Sequence, residues 1–148
     1  MTISVSSDYG YVILVGASAA LYQFVLGGQV SSQRKPSGVL YPHMYATKAE
    51  CEQDKKKLIF NCYQRAHQNY LENLPSFLFF LSAGGLEYPK VAAAAGTLWL
   101  LGRIKYSSNY QKGDASKRNS SGAAVHYLGL LSLLGLSAYT GVKQVANL

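Results

Sequence analysis

Two stretches of this chain run without a charged side chain for longer than a helix needs to cross a bilayer: residues 9–33 and residues 119–142. Roughly 20 apolar residues suffice for a helical span. Residues 73–86 and 91–102 are also uncharged but shorter. Each reaches spanning length only if its polar flank continues as helix. The pattern predicts four transmembrane helices at about 9–31, 58–86, 89–110 and 121–145. Cytosolic loops at about 32–57 and 111–120 would join them into a single domain covering 1–148. The predicted fold is an all-α integral membrane protein, a bundle of four transmembrane helices. An all-α soluble bundle is the alternative, but two uncharged runs this long are hard to place inside a small soluble core.

Local signals refine the pattern. Pro36, Gly38 and Pro42 argue against continuous helix in the first long connection. Residues 50–57 mix Glu50, Glu52 and Asp54 with Lys55, Lys56 and Lys57, which suits the exposed start of the second long helix. At 1.5 Å per residue that helix would be about 44 Å long, so its first turns should project beyond a hydrocarbon core of about 30 Å. The turn at 84–90 is short, with Pro89 at a helix start. Spans two and three therefore form an antiparallel hairpin. Residues 91–96 are mostly alanine and glycine, which permits close helix contact in lipid.

Charge then sets an orientation. Only 14% of the 148 residues are charged, against roughly 25% in soluble domains. Arg34, Lys35, Lys48, Lys55, Lys56 and Lys57 lie in the first connection, and Lys112, Lys117 and Arg118 in the last, while the opposite side holds Lys90 and Lys143. Basic loops stay cytosolic, so both termini are predicted luminal. The net charge of +7 is on this view a topology signal. No aromatic–basic surface accompanies it, and nucleic-acid binding is set aside. The sequon at Asn119 would face the cytosol and stay unmodified. The segment before Tyr9 lacks Lys and Arg, so the first helix is expected to remain in the mature protein. Cys51 and Cys62 are too few for a disulfide framework and are expected as free thiols.

The polar residues Arg65, His67, Gln68, Asn69, Tyr70, Glu72 and Asn73 run directly into the uncharged residues of the second span. Ionised groups at the edge of hydrocarbon cost several kcal/mol unless paired or facing a polar cavity. At 100° per residue, Arg65, Asn69 and Glu72 fall at about 0°, 40° and −20°, on one face. Arg103, Tyr106 and Tyr110 share a face of the third helix, and the hairpin brings the two stripes to comparable depth. One reading is a structural network in which Arg65 pairs with Glu72 and the tyrosines cap the pair. The other is a ligand pocket. Several cations with one carboxylate suit a small zwitterion with surplus carboxylates, and glutathione has that chemistry. His67 falls on the opposite face of its helix, as a structural hydrogen-bonder. His126 is expected as a satisfied core histidine and His43 as a loop residue. Trp99 and the phenylalanines of the second span are packing residues by default. No His/Cys spacing suggests a metal site.

The run from Phe60 to Pro75, FNCYQRAHQNYLENLP, resembles the signature of the membrane-associated proteins of eicosanoid and glutathione metabolism. Tyr9-Gly10-Tyr11-Val12, Tyr41-Pro42, Gly102-Arg103 with Tyr106 and Tyr110, and Ser116-Lys117-Arg118 extend the resemblance over nearly the whole chain. It implies a homotrimer of four-helix subunits that bind glutathione between neighbours near the cytosolic face. Arg65, Asn69, Glu72, Tyr106 and Tyr110 would hold glutathione, with Arg34 arriving from the loop. An arginine after the third helix would activate the thiol. Arg118 is the candidate, with Lys117 one residue short of it. Lys35, Arg103 and Gln68 are further candidates.

The implied activity is transfer of glutathione to lipophilic electrophiles, as in a leukotriene-C-synthase-like enzyme, or glutathione-dependent reduction of lipid hydroperoxides. Glutathione is the co-substrate, and no bound cofactor is called for. The competing reading within the same family is a non-catalytic lipid-binding scaffold. A small channel or transporter has little sequence support. The expected location is the endoplasmic reticulum membrane, with the outer mitochondrial membrane as the alternative.

Overall fold

The computed structural model describes residues 5–146 as an all-helical chain. Its α-helices are α1 (Tyr9–Ser37), α2 (Lys48–Gln53), α3 (Lys55–Gly85), α4 (Pro89–Tyr110) and α5 (Val125–Val145), with a 3₁₀ turn at Ala115–Lys117 before α5. Among the described residues no strand occurs. Two helices, α1 and α5, are long and apolar enough to cross a membrane, with mean hydropathy 1.6 and 1.3 over their most apolar windows.

Helix boundaries depart from the sequence expectation at four places. The first helix was expected to end near Ser31 but continues to Ser37, through Pro36. Its stop is Gly38, left-handed at φ 69°, whose N–H donates to Lys35 O. That is the glycine cap that satisfies a last-turn carbonyl, and it outweighs a proline already in the final turn. The acidic tail of the first connection does not open the second long helix. Glu50 and Glu52 belong instead to the separate helix α2, started by a capping box between Thr47 and Glu50. Asp54 is extended at φ −134° and breaks the chain there, and its carboxylate accepts from Lys56 N to start α3 three residues earlier than expected. At the far end, Ser121 and Gly122 have positive φ (55° and 82°), which delays α5 to Val125 rather than Ser121.

Helices α3 and α4 form the expected hairpin and pack on α1 along one flank and α5 along the other. Trp99 stacks on Phe77 at 3.7 Å between centroids with planes 10° apart, and Tyr70 tilts against Trp99 at 5.5 Å. These three rings, with Leu26, Leu81 and Leu133, are buried and form the core. Each large apolar side chain so buried contributes roughly 1.5–3 kcal/mol. Tyr70 keeps its polar end satisfied by donating to Ala19 O of α1 at 2.8 Å. At the hairpin end, Lys90 pairs with Asp8 at 3.2 Å and Lys143 pairs with Glu87, so both outer helices are tied to the turn.

Helix α5 meets α4 at backbone distance. A methyl at Gly129 would lie 2.6 Å from both Ala95 O and Trp99 N. Gly129→Ala should therefore force α4 and α5 apart and lower the thermal unfolding temperature in detergent by several degrees, the cost of overpacking being about 1–3 kcal/mol. Gly135→Ala, where nothing lies within 4 Å of the new methyl, is the control and should be neutral or slightly stabilising.

Candidate functional site

The two polar stripes meet at the end of the bundle away from the hairpin. Arg65 Nη1 donates to Glu72 Oε1 at 2.8 Å. The pair spans two turns of α3, the i,i+7 spacing that returns to nearly the same face. Asn69 sits between them, and its Nδ2 approaches Glu72 Oε2 at 3.4 Å. Arg103 of α4 then donates from Nη2 to Asn69 Oδ1 at 2.7 Å. The chain Arg65–Glu72–Asn69–Arg103 thus crosses the hairpin as the helical spacing predicted.

Arg103 is the unusual member. It is 2% exposed, and its guanidinium carbon lies 4.4 Å from the Tyr106 ring centroid and 5.8 Å from that of Tyr70. The rings offer the negative face that a cation prefers. Its Nε has no hydrogen-bond partner in the structure. Tyr106 is buried against Arg103 on one side and meets the His126 ring edge-on at 5.6 Å on another. His126 Nδ1 is engaged with Ala123 O at 2.8 Å, so it is the satisfied core histidine expected. Tyr110 follows Tyr106 at 5.9 Å between centroids.

The outer half of the site is open. The side chains of Arg65 and Glu72 are 41% and 45% exposed in the single chain, while Arg103 behind them is sealed. The arrangement is a charged wall with one side uncovered. Glu72 is the carboxylate of this wall, paired directly with Arg65 and linked to Arg103 through Asn69.

The two candidate thiol-activating cations are separated by their surroundings. Lys117 pairs with Asp114 at 3.4 Å and is 73% exposed. Asp114 also accepts from Ser116, and these donors hold its carboxyl below the usual range. Arg118 donates from Nη1 to Ala115 O at 2.8 Å. Asn109 of α4 holds this loop by donating to Ser120 O at 2.8 Å and approaching Arg118 O at 3.5 Å. Lys117 is thus held by Asp114 and Arg118 by the loop backbone, and both residues are exposed in the single chain.

Other candidates lie elsewhere. Arg34 is stacked on Tyr41 at 4.2 Å and on Phe60 at 4.8 Å, and its Nη1 donates to Val39 O and His43 O. Within one chain it clamps the first connection. Lys35 is exposed at the end of α1. Gln68 is half-buried on α3, one residue off the Arg65 stripe. His67 turns toward Gly27 of α1. Its role is packing, and among the described residues it makes no side-chain hydrogen bond, in contrast to the structural hydrogen-bonder expected. Cys51 and Cys62 are free thiols. An apolar groove of about 420 Å³, lined by residues that include Tyr11, Leu14, Ala93 and Thr97, lies between α1 and α4, at the hairpin end and away from the charged wall.

Sequence reasoning missed Tyr45 and Asn61. Tyr45 stands in the first connection, beside Ala46. Asn61 grips the backbone next to it. Asn61 precedes Arg65 by four residues and so shares its stripe, a signal available from spacing alone. Residues 12–139 match the model of the MAPEG family, the family whose signature the Phe60–Pro75 run resembles.

Proposed function

The chain belongs to the MAPEG family, which is membrane-bound and includes glutathione transferases and peroxidases, and from that premise we propose that it is a membrane glutathione transferase with glutathione-dependent peroxidase activity. The observation that carries this reading is the open ion pair of Arg65 and Glu72 backed by the sealed guanidinium of Arg103. A free site of that kind neutralises itself internally. A zwitterion can replace both partners at once, its carboxylate taking Arg65 and its ammonium taking Glu72, with no ion left unpaired. Asn69 and Tyr110 add neutral hydrogen bonds, and Arg103 supplies a fixed positive field behind them. Arg34, which within its own chain clamps the first connection away from this site, would join the site only from a neighbouring subunit.

Arg118 is the thiol-activating group in this reading. A cation beside the sulfur lowers the thiol pKa from about 8.5 toward neutrality, and the thiolate is the nucleophile. In transfer, the thiolate attacks an electrophilic carbon, a C–S bond forms, and the electron pair leaves with the departing group or is protonated. In hydroperoxide reduction, the O–O bond breaks, two glutathione molecules are oxidised to the disulfide, and an alcohol and water are released. The protein contributes positioning and electrostatics rather than a nucleophile of its own.

The exposed half of the site fits a homotrimer in which a neighbouring subunit covers it. Helices α3 and α4 are then membrane spans alongside α1 and α5, since the packing holds all four side by side. Within the family the Phe60–Pro75 run resembles that of the third microsomal glutathione S-transferase, and the endoplasmic reticulum is the proposed membrane, with both termini luminal. The test is glutathione consumption by the purified protein in detergent, with an aromatic electrophile and a fatty-acid hydroperoxide side by side. Turnover of either supports the enzyme. Lipid binding without thiol consumption in both would favour the non-catalytic scaffold.

A further inference from the structure

Asn61 is unusual among the side chains of α3 because both of its polar atoms hold one residue outside the helix, through two consecutive peptide units. Its Oδ1 accepts from Ala46 N at 2.8 Å, and its Nδ2 donates to Ala46 O at 2.9 Å. Nδ2 also lies 3.2 Å from Cys51 Sγ. A two-point grip on one residue fixes both the position and the rotation of that backbone. The chain on either side is anchored as well. Upstream, Arg34 donates to Val39 O and His43 O. Downstream, Thr47 and Glu50 close the capping box that starts α2, and Glu50 is latched to Lys57 of α3. Hydrogen bonds from Lys57 and Thr47 hold the Glu50 carboxyl down at about 2. The latch therefore persists at every physiological pH and is lost only as pH falls toward that value.

Tyr45 is the residue between these anchors. It is 38% exposed and lines one wall of a loop cavity of about 520 Å³. Asn61 and Arg65 share a stripe one helical turn apart, and Tyr45 is the neighbour of the residue that Asn61 grips. Burial raises the Tyr45 phenol above its ordinary pKa, so the hydroxyl is a neutral donor at pH 7.

We propose that Tyr45 is a further binding residue of the charged site, donating its hydroxyl to the ligand carboxylate that Arg65 takes, and that Asn61 is the positioning residue that sets it there. This rests on the glutathione reading above. It gives the first connection a direct part in recognition and makes the affinity of the site depend on a loop clip. An amphipathic ring at the mouth of an ion-pair site offers both a hydrogen bond and partial exclusion of water.

The test is titration of glutathione into the intact detergent-solubilised protein, comparing wild type, Tyr45→Phe, Asn61→Ala and the double variant. Loss of one hydrogen bond to a charged ligand should weaken binding about fivefold or more in Tyr45→Phe. Asn61→Ala should show a similar loss, and adding Tyr45→Phe to it should weaken binding no further, because the two act through one contact. Equal affinity of Tyr45→Phe and wild type overturns the role of Tyr45. Losses that multiply in the double variant overturn the positioning role of Asn61. Absence of glutathione binding in the wild type overturns the glutathione reading itself, a result separate from the other two.

Discussion

Replacing Arg118 by alanine is expected to lower kcat for glutathione transfer by two to three orders of magnitude while changing the affinity for glutathione only a few-fold. The size follows from what one preorganised charge supplies to a developing or stabilised anion in a site with restricted water. The selectivity follows from placement. Arg118 stands in the loop after the 3₁₀ turn, held through Ala115 O and through the grip of Asn109 on the chain around it. It is separate from the Arg65–Glu72–Asn69–Arg103 chain that would carry the ligand's carboxylate and amine. Lys117→Ala should leave kcat near wild type, because that ammonium is already paired with Asp114. Following the thiolate absorbance of bound glutathione against pH separates activation from positioning. In wild type the bound thiol should ionise below its free value of about 8.5, and in Arg118→Ala it should move back up. An unchanged kcat in Arg118→Ala, or the loss appearing in Lys117→Ala instead, would remove Arg118 from the role.

The heart of the site was legible in the sequence for a geometric reason. Residues that share a helical face are fixed by the 100° period, and a turn of a few residues fixes how two helices face each other. Those two facts suffice to bring Asn69 to Arg103, and the side chains meet at 2.7 Å. Wherever recognition depends on the path of a loop, periodicity is silent. The engagement of Arg34 with Val39, His43, Tyr41 and Phe60 required the course of the first connection, and so did the approach of Tyr45. Helix ends were misjudged where a strong cap overrode a weaker breaker. Gly38 stops α1 and Pro36 does not, and Thr47 with Glu50 starts a helix of its own. The surroundings of Arg118 and Lys117 were likewise beyond spacing. Asp114 takes the lysine and caps the turn that precedes the arginine.

Glu72→Gln is expected to produce the second large effect, and one with a direction that few other models share. Glu72 is paired directly with Arg65 and linked to Arg103 through Asn69. Glutamine keeps its shape and removes its charge. The proposed ammonium contact is lost, and a charge-assisted bond of this kind is worth about 1.5–3 kcal/mol, so glutathione should bind roughly 10- to 100-fold more weakly. The two guanidinium groups are left without a counter-charge, which also lowers the unfolding temperature. The same change makes the site a better host for an anion without an amine. A glutathione analogue lacking the amino group should bind Glu72→Gln as tightly as wild type or more tightly, because Glu72 no longer competes with its carboxylate for Arg65. The ratio of the two affinities thus inverts, which a nonspecific loss of packing cannot produce. Parallel losses for glutathione and the analogue would show that Glu72 holds the helices together and does not read the ligand's amine.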